Sequence, residues 1–249
     1  MPGGPPVFPA GRIPDAPGPS RPKTRPKTQQ EVAPGALQQT PGTGTIAPGK
    51  GGRLTPPPPN TTQGVIMTNA TDYTLFSGGA QGAEAEFGRQ AEKYGIQEVT
   101  YTFEGHKIDR TRGLRVLTAE ELARKDVSLS YVSKLLNRNF SNGPQIRMVL
   151  RTIMHQVDSG LEIFVVGVIH EDGTVKGGTG WGAEFAKICN KPLYVFCQEK
   201  AGWFAFKGVH IQPVEAPVIT QRHFTGTGTR FLEDSGRQAI ADLFARSFG

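Results

Sequence analysis

The longest apolar-rich run in the chain, residues 161–169 (LEIFVVGVI), is the clearest structural signal in the sequence. A continuous apolar run without polar alternation is typical of a strand that is covered on both faces of a sheet. Shorter β-prone runs at 73–76 (YTLF), 99–103 (VTYTF) and 192–197 (PLYVFC) predict further strands. The hydrophobic pattern therefore predicts a sheet with a deeply buried centre.

Helical periodicity separates these strand signals. Residues 83–94 repeat apolar side chains on one helical face, and Gly95 is a suitable residue to end that helix. Thr118 as N-cap, with Glu121 three residues later, predicts another helix start. Further helices are predicted over 129–136, over 146–157, from 177 to about 190, and after Ser235 as the N-cap of a last helix.

Strands and helices alternate along the chain, and this order predicts an α/β fold. We expect a doubly wound, mostly parallel sheet in a Rossmann-like three-layer sandwich. Residues 73–103 read as strand, loop, helix and strand, and such a crossover requires parallel pairing. Residues 203–206 are predicted as a short extra strand, and 224–230 (FTGTGTR) as a third glycine-containing loop.

Composition divides the chain near residue 65. Residues 1–62 contain 16 of the 20 prolines and almost no clustered apolar residues. Such a segment buries too little surface to offset its ordering entropy, so residues 1–65 are predicted to be a disordered, basic tail and 66–249 one folded domain. The tail has seven Lys/Arg against two acidic residues, whereas the remainder is nearly balanced, with 28 − 7 = 21 basic and 22 − 2 = 20 acidic residues.

This charge distribution bears on partners and location. A balanced domain gives little support to a folded nucleic-acid binder, but the basic tail is compatible with weak contacts to nucleic acid or an acidic partner. The tail lacks the apolar core of a secretory signal, and no run is long enough to span a membrane. We therefore expect a cytoplasmic protein without membrane contact, with an organelle address in the tail left open.

The chain contains two cysteines, Cys189 and Cys197, with neither CxxC spacing nor a nearby Cys/His cluster. Metal sites in proteins usually show such clusters, so we expect no metal site. No separate cofactor is predicted either. Two structural thiols in a reducing compartment are the expectation.

Two glycine-rich loops carry the candidate chemistry. The stretch 77–83 (SGGAQGA) follows the first predicted strand, and 177–184 (GGTGWGAE) follows the long apolar run. Each precedes a predicted helix. Glycines at such a junction allow close approach of the backbone, and the free N–H groups with the helix dipole favour an anion. The carboxyl ends of parallel strands share one edge of a sheet, so both loops are expected beside one nucleotide or other phosphate-bearing ligand.

These loops resemble the SLOG superfamily, named for DNA-processing protein A and the Lonely Guy phosphoribohydrolases. That family has a Rossmann-like fold with an early glycine loop and a later PGGxGTxxE motif. Gly177, Gly178, Gly180 and Glu184 match the later motif, with Lys176 in place of its proline and Trp181 in place of its threonine. The resemblance covers roughly residues 70–200, and only the two loops are specific. It also implies a homodimer.

The resemblance implies roles for individual residues. In the hydrolases the motif binds a nucleoside monophosphate, and its glutamate acts with an upstream arginine on the base–ribose bond. Glu184 takes the glutamate's place here, and Arg151 is the nearest candidate arginine, with Arg138 and Arg147 behind it. The predicted nucleotide-binding residues are Ser77, Gly78, Gly79, Gly82, Glu84, Gly177, Gly178, Thr179, Gly180, Trp181 and Arg230.

For some of these residues the sequence leaves two roles open. Trp181 could stack on a base or cover the core, and Glu184 could act in catalysis or simply complement the helix dipole. Glu86 is a second acid near the early loop, and Arg230 is expected to clamp a phosphate. His106 and His155 are candidate acids or bases, although lone histidines usually are neither.

Three function classes follow from these patterns. The first is binding of a nucleoside monophosphate, an ADP-ribose-like molecule or a cyclic signal, with or without hydrolysis of an N-glycosidic bond. The second is NAD-type dinucleotide binding, because Gly178-x-Gly180-x-x-Ala183 fits the GxGxxG/A fingerprint and Glu199 follows at the expected distance. Against it, seven residues separate the strand from Gly177. The third is a non-catalytic scaffold recruited through the tail.

Overall fold

An eight-stranded sheet runs through the protein, with helices on both faces. The computed structural model describes residues 69–140, 143–207 and 210–249, so the predicted tail at 1–65 lies outside the described residues. The strands are β1 (Thr74–Ser77), β2 (Gln97–Thr102), β3 (Leu114–Val116), β4 (Glu162–Gly167), β5 (Leu193–Cys197), β6 (Gly202–Lys207), β7 (His210–Val214) and β8 (His223–Gly228). The helices are α1 (Ala83–Lys93), α2 (Ala119–Ala123), α3 (Asp126–Leu136), α4 (Pro144–Ser159), α5 (Thr179–Ile188) and α6 (Asp234–Phe248), with a short 3₁₀ turn at Ala70–Asp72.

The sheet is mostly parallel, as predicted. Its strand order is β3-β2-β1-β8-β4-β5-β6-β7, and the first six of these strands run in one direction. Among the described strands β6 alone runs in the opposite direction, because it pairs antiparallel with β5 on one side and with β7 on the other. The chain winds outward from β1 through β2 to β3, and outward from β4 through β5 to β7. The doubly wound α/β fold is therefore confirmed.

Strand β4 forms the buried centre that its apolar run predicts. All six of its residues are buried. Ile163 and Val165 point into one hydrophobic cluster with side chains of α3, α4 and α5, whereas Phe164 and Val166 point into a second cluster with α1 and α6. Each such side chain contributes about 1.5–3 kcal/mol when it leaves water. Apolar residues on both faces of one strand thus bind the two helical layers together.

The prediction of a loop at 224–230 was wrong for residues 224–228, and only residues 229 and 230 lie outside a strand. Residues 223–228 form β8, which lies between β1 and β4 in the middle of the sheet. Its glycines are required by close packing, because a Cβ at Gly226 would overlap the ring of Phe87 in α1, and a Cβ at Gly228 would overlap backbone atoms of Val166. Glycine inside a strand often marks such an approach.

Two short strands and one helix start also differ from prediction. All three residues of strand β3 are exposed and β7 has none that is fully buried, so neither strand alternates buried and exposed side chains. Helix α6 begins at Asp234 with Glu233 as its N-cap, and the buried Oγ of Ser235 has no hydrogen-bond partner. The N-cap assigned to Ser235 was therefore wrong, whereas the capping box at the start of α2 is confirmed.

The packing of β8 against α1 predicts the effect of one added methyl group. Gly226→Ala should lower the free energy of unfolding by about 1–3 kcal/mol, because the methyl group overpacks the Phe87 ring. Urea unfolding followed by circular dichroism measures this change.

Gly178→Ala is the matched control. Gly178 has ordinary helical dihedrals, and the nearest atom to its added Cβ is 3.9 Å away. We expect a change within about 0.5 kcal/mol for this variant. Equal stability of the two alanine variants would contradict the assignment of residues 223–228 to a packed central strand.

Candidate functional site

The candidate site lies at the edge of the sheet where β1, β8 and β4 end, which we call the carboxyl edge. Loop 1 (residues 78–82) connects β1 to α1, and loop 2 (residues 176–178) precedes α5. β8 is paired with both β1 and β4, so at about 4.8 Å per strand the carboxyl ends of β1 and β4 lie about 10 Å apart. The winding direction of the chain reverses here, and ligands of open α/β sheets bind at such reversals.

Loop 2 is brought back to the end of β4 by a small hairpin. Residues 169 and 175 form an antiparallel bridge, and Lys176 N donates to Val168 O at 2.9 Å. Arg138 fastens the hairpin, because its Nη1 donates to Val175 O at 2.8 Å and its Nη2 to Thr174 Oγ1 at 2.9 Å. The seven residues that separate the long apolar run from Gly177 thus lie in this hairpin. A direct strand-to-helix turn of the dinucleotide type is absent from this segment.

Loop 1 rests on a buried polar cluster around Glu84. The Glu84 carboxylate accepts from Ala80 N at 3.1 Å and from Thr227 Oγ1, in β8, at 2.7 Å. The groups around Gln156, in α4, fix the orientation of its side-chain amide. The amide nitrogen donates to Glu84 Oε1 and the amide oxygen accepts from Gly78 N, both at 3.2 Å. Loop 1, the central strand and both helical layers therefore meet at one carboxylate.

Burial raises the pKa of the Glu84 carboxyl, while the donors Thr227, Ala80 and Gln156 act in the opposite direction. The residue is 6% exposed, and its carboxylate faces the protein interior. Glu84 therefore supports loop 1 from below.

Glu86 has different partners. Burial opposes the ionisation of its carboxyl, but hydrogen bonds and charge from Gln90, Arg89 and Arg237 hold its pKa below the usual value. The bond from Arg237 also ties α1 to α6.

Loop 1 presents backbone donors that the protein itself does not use. Ala80 N and Ala83 N are bonded, to Glu84 and to Thr229 O, and Gly78 N is bonded to Gln156. Within the part of the chain that the structure describes, the N–H groups of Gly79, Gln81 and Gly82 have no acceptor. Unpaired N–H groups at a helix N-terminus form a ready site for an anion.

Loop 2 has the same property at the start of α5. Its last two residues, Gly177 and Gly178, are exposed, and a Cβ at Gly177 would meet no atom within 4 Å. The N–H groups of these two glycines and of Thr179 lack acceptors among the described residues. The carboxyl edge thus carries two groups of free donors, one in each helical layer.

Arg230 and His106 flank loop 1. Arg230 follows β8, and its backbone packs on Gly82, whose φ of +94° and added Cβ at 2.6 Å from Arg230 Cα require glycine. The Arg230 side chain is exposed and forms no ion pair with any described residue. Burial lowers the pKa of His106, and the charge of Arg230 lowers it further. An exposed cation therefore stands beside the free donors of loop 1.

The two residues predicted to be catalytic are not brought together. Arg151 Nε donates to Asp126 Oδ1 at 2.7 Å and its Nη2 to Asp126 Oδ2 at 2.6 Å, so this guanidinium is held by α3. Glu184 pairs with Lys187 at 2.5 Å, and that lysine lies over the Phe206 ring in β6. Of the three candidate arginines, Arg138 is the one beside loop 2, where it serves the hairpin.

Several further predicted residues are enclosed. Trp181 is 4% exposed and packs edge-on against Phe140 at 5.8 Å, which matches the core-covering role that the sequence left open. Thr179 is buried under the start of α5, and the fully buried Ser77 has an Oγ without a hydrogen-bond partner. His155 Nε2 lies 2.9 Å from Glu121 O, away from both loops.

Sequence reasoning missed three residues that shape the site. Gln156 and Thr227 complete the cluster around Glu84, and Phe231 follows Arg230 with 81% of its surface exposed. A signal for Gln156 was present, since it is a polar residue beside Ile153 and Val157 on the apolar side of a predicted helix. The exposure of Phe231 has no counterpart in the sequence pattern.

Two concavities of the described residues lie away from the carboxyl edge. A concavity of about 550 Å³ lies between α6 and strands β5 and β6, and one of about 370 Å³ lies against α3. We assign the site by its donors, because an anion is bound by N–H groups and charge rather than by apolar lining. Within the described ranges, no group of three His, Cys, Asp or Glu residues could hold a metal, and no helix is long and apolar enough to cross a membrane.

The raised pKa of Glu84 predicts a pH dependence of stability. The folded state binds this proton more tightly than the unfolded chain, whose glutamates titrate near 4.5. Tighter proton binding by the folded state contributes to the free energy of unfolding. That contribution is complete at pH values below the unfolded-state pKa and is lost as pH rises through the folded-state pKa. The free energy of unfolding of the wild type, relative to Glu84→Gln, should therefore fall as pH rises from about 4.5.

Urea titrations at a series of pH values measure that difference. Glu104→Gln makes the same charge change at an exposed position and corrects for the altered net charge. A difference that stays flat, or rises with pH, would contradict the buried position of the Glu84 carboxyl.

Comparison of the chain with protein-family models, with curated proteins and with solved structures gives no match. The likeness of the two glycine loops to the SLOG superfamily therefore stays a prediction from the sequence. A function can be assigned from the free N–H donors of the carboxyl edge and from the exposed Arg230 side chain beside them.

Proposed function

We propose that the protein binds a nucleotide or nucleotide-derived ligand at the carboxyl edge and holds it without cleaving the base–ribose bond. The observation that carries this proposal is the set of unused N–H groups of loop 1, at Gly79, Gln81 and Gly82, beside the exposed guanidinium of Arg230. A phosphate matches these donors in charge and in the number of acceptor oxygens.

The energetics favour a phosphate at this position. Hydrogen bonds to a charged group contribute about 1.5–3 kcal/mol each, and a favourable helix dipole adds about 0.3–1 kcal/mol. Loop 1 is also preorganised, because Glu84, Gln156 and Thr227 hold it from below and Gly79 O accepts from both Asp109 N and Arg110 N. Little conformational entropy is then lost on binding.

Binding without turnover is supported by the ion pairs that already engage both candidate catalytic residues. Cleavage of an N-glycosidic bond would need a carboxylate and a cation directed at one ligand. Arg151 is ion-paired with Asp126 of α3, and Glu184 is ion-paired with Lys187 of its own helix. A ligand-holding role, as in a nucleotide sensor, requires neither residue. The ligand classes it covers are nucleoside monophosphates, ADP-ribose-like molecules and cyclic nucleotide signals.

The two alternatives have weaker support. A dinucleotide fingerprint places its first glycine directly after a strand, whereas the hairpin at 168–176 intervenes here, and Glu199 is exposed beyond β5. A scaffold recruited through the tail would leave the free donors of loop 1 without a use. Weak contacts between the tail and nucleic acid stay a proposal, and so does a homodimer. Ligand binding at the two loops depends on neither.

Added negative charge at loop 1 should weaken binding. Gln81 is exposed and its N–H is one of the free donors, so Gln81→Glu places a carboxylate near the expected phosphate. We expect the affinity for AMP and ADP-ribose to fall about tenfold or more, which corresponds to about 1.4 kcal/mol. Isothermal titration calorimetry on the full chain gives these affinities.

Gln97→Glu is the matched control. It makes the same substitution at an exposed position where β2 begins, at the opposite edge of the sheet. Its affinities should stay within about twofold of the wild type, because charges more than a Debye length apart, about 8 Å at physiological salt, interact little. Equal losses in both variants, or no binding of any nucleotide to the wild type, would overturn the proposed function.

Release of the free base distinguishes ligand binding alone from hydrolysis of the base–ribose bond. Wild type and Glu184→Gln, incubated with AMP, NAD and ADP-ribose, should release no base above the uncatalysed background in an assay by liquid chromatography. A release that is present in the wild type and absent in Glu184→Gln would instead establish a hydrolase.

A further inference from the structure

Phe231 is a large apolar side chain in an unusual place. It is 81% exposed, although most phenylalanines of this chain's described part are buried in its two main hydrophobic clusters or packed against them. Exposed charged residues lie close to it in the chain: Arg230 immediately before it, and Glu233 and Asp234 two and three residues after it. Exposure of an aromatic ring to water is unfavourable relative to its burial.

The backbone of Phe231 is held on both sides. Its N–H donates to Thr229 Oγ1 at 3.1 Å, and its carbonyl accepts from Gln198 Nε2 at 3.2 Å. Gln198 is itself buried, and its Oε1 accepts from Glu233 N at 2.9 Å. The ring therefore projects from a fixed segment, and a contact made by it would lose little conformational entropy.

This segment runs along the carboxyl edge from the end of β8 toward Gln198, which follows β5. Thr229 O accepts from Ala83 N, at the end of loop 1, and Thr229 N donates to Val166 O near the end of β4. Gln198, which holds Phe231, donates its own N–H to Gly167 O, the last residue of β4. Phe231 thus follows the candidate phosphate-binding cation by one residue, and the two residues that hold its backbone are both bonded to β4 or to the residue that ends it.

We propose that Phe231 stacks on the nucleobase of the bound ligand while Arg230 and loop 1 hold its phosphate. This inference rests on the proposed function and deepens it, since it assigns recognition of a flat aromatic base rather than of a sugar phosphate alone. Trp181, the residue that the sequence offered for stacking, is enclosed in the core, whereas the faces of Phe231 are open.

A small planar ligand suits Phe231 better than a protein surface does. Specific protein interfaces bury about 800 Å² on each partner and have an apolar core. Phe231 is instead a single aromatic ring among charged residues, with the neighbouring Leu232 turned toward the α1 and α6 cluster. One ring beside a cation and free N–H donors has the components of a nucleotide site, because stacking is tolerant of base identity.

The test compares ligands with and without a base. AMP and ADP-ribose carry the base, and ribose 5-phosphate is the probe without it. By calorimetry on the full chain, Phe231→Ala should weaken AMP and ADP-ribose binding about five- to a hundredfold. The affinity for ribose 5-phosphate should stay within about twofold, and Phe231→Tyr should restore most of the affinity for the nucleotides.

A matched control and a second readout complete the experiment. Val127→Ala truncates another apolar side chain of similar exposure, 83%, on α3 and should change neither affinity. Phe231→Trp introduces an exposed indole, whereas the two native tryptophans are buried. Its fluorescence should be quenched by AMP and not by ribose 5-phosphate.

The outcomes separate the two proposals. If the wild type binds AMP and ribose 5-phosphate equally well, or if Phe231→Ala weakens both to the same degree or neither, base stacking is overturned while phosphate binding stands. If the wild type binds none of the three probes, the proposed function and the stacking role fail together. An affinity defect confined to a protein partner would assign Phe231 to an interface instead.

Discussion

The carboxylate of Glu84 is the point on which the carboxyl edge depends. It accepts hydrogen bonds from loop 1, from β8 and from α4 at once, in a position that excludes water. A buried charge is tolerated only where such donors surround it, and their loss leaves an uncompensated group. Because the first turn of α1 supplies this residue, the helix start, the loop and the central strand are fixed relative to one another.

That constraint explains how the loop can keep free donors. An N–H group that lacks a partner tends to be recruited by the nearest carbonyl, which would collapse a flexible glycine loop. Here Ala80, Gly78 and Ala83 are already committed to fixed acceptors, so the remaining amides stay available. The same segment after β8 then positions Arg230 against Gly82 and carries Phe231 on a backbone held by Gln198. Donors, cation and aromatic ring thus share one rigid frame.

Patterns that depend on local chemistry were readable from the sequence. The run at 161–169 predicted the strand covered on both faces, and Thr118 with Glu121 predicted the capping box. Strand β8 was unreadable because its Thr and Gly residues show no apolar alternation, and its burial is imposed by Phe87 of α1 and by Val166. The loops were found, but the partner of Arg151 depends on how α3 and α4 pack, which spacing along the chain does not encode. The pair of Glu184 with Lys187 is different, because residues three apart on one helix are neighbours.

The most direct test of the account is a nitrogen–proton NMR titration of the folded protein with ADP-ribose. The account predicts that the backbone amide resonances of Gln81 and Gly82 move most, in the direction of stronger hydrogen bonds, together with the guanidinium resonance of Arg230. Resonances of residues around the concavity between α6 and β6 should stay in place. Saturable shifts that leave loop 1 unchanged, or that centre on another surface, would contradict the assignment of the carboxyl edge as the ligand site.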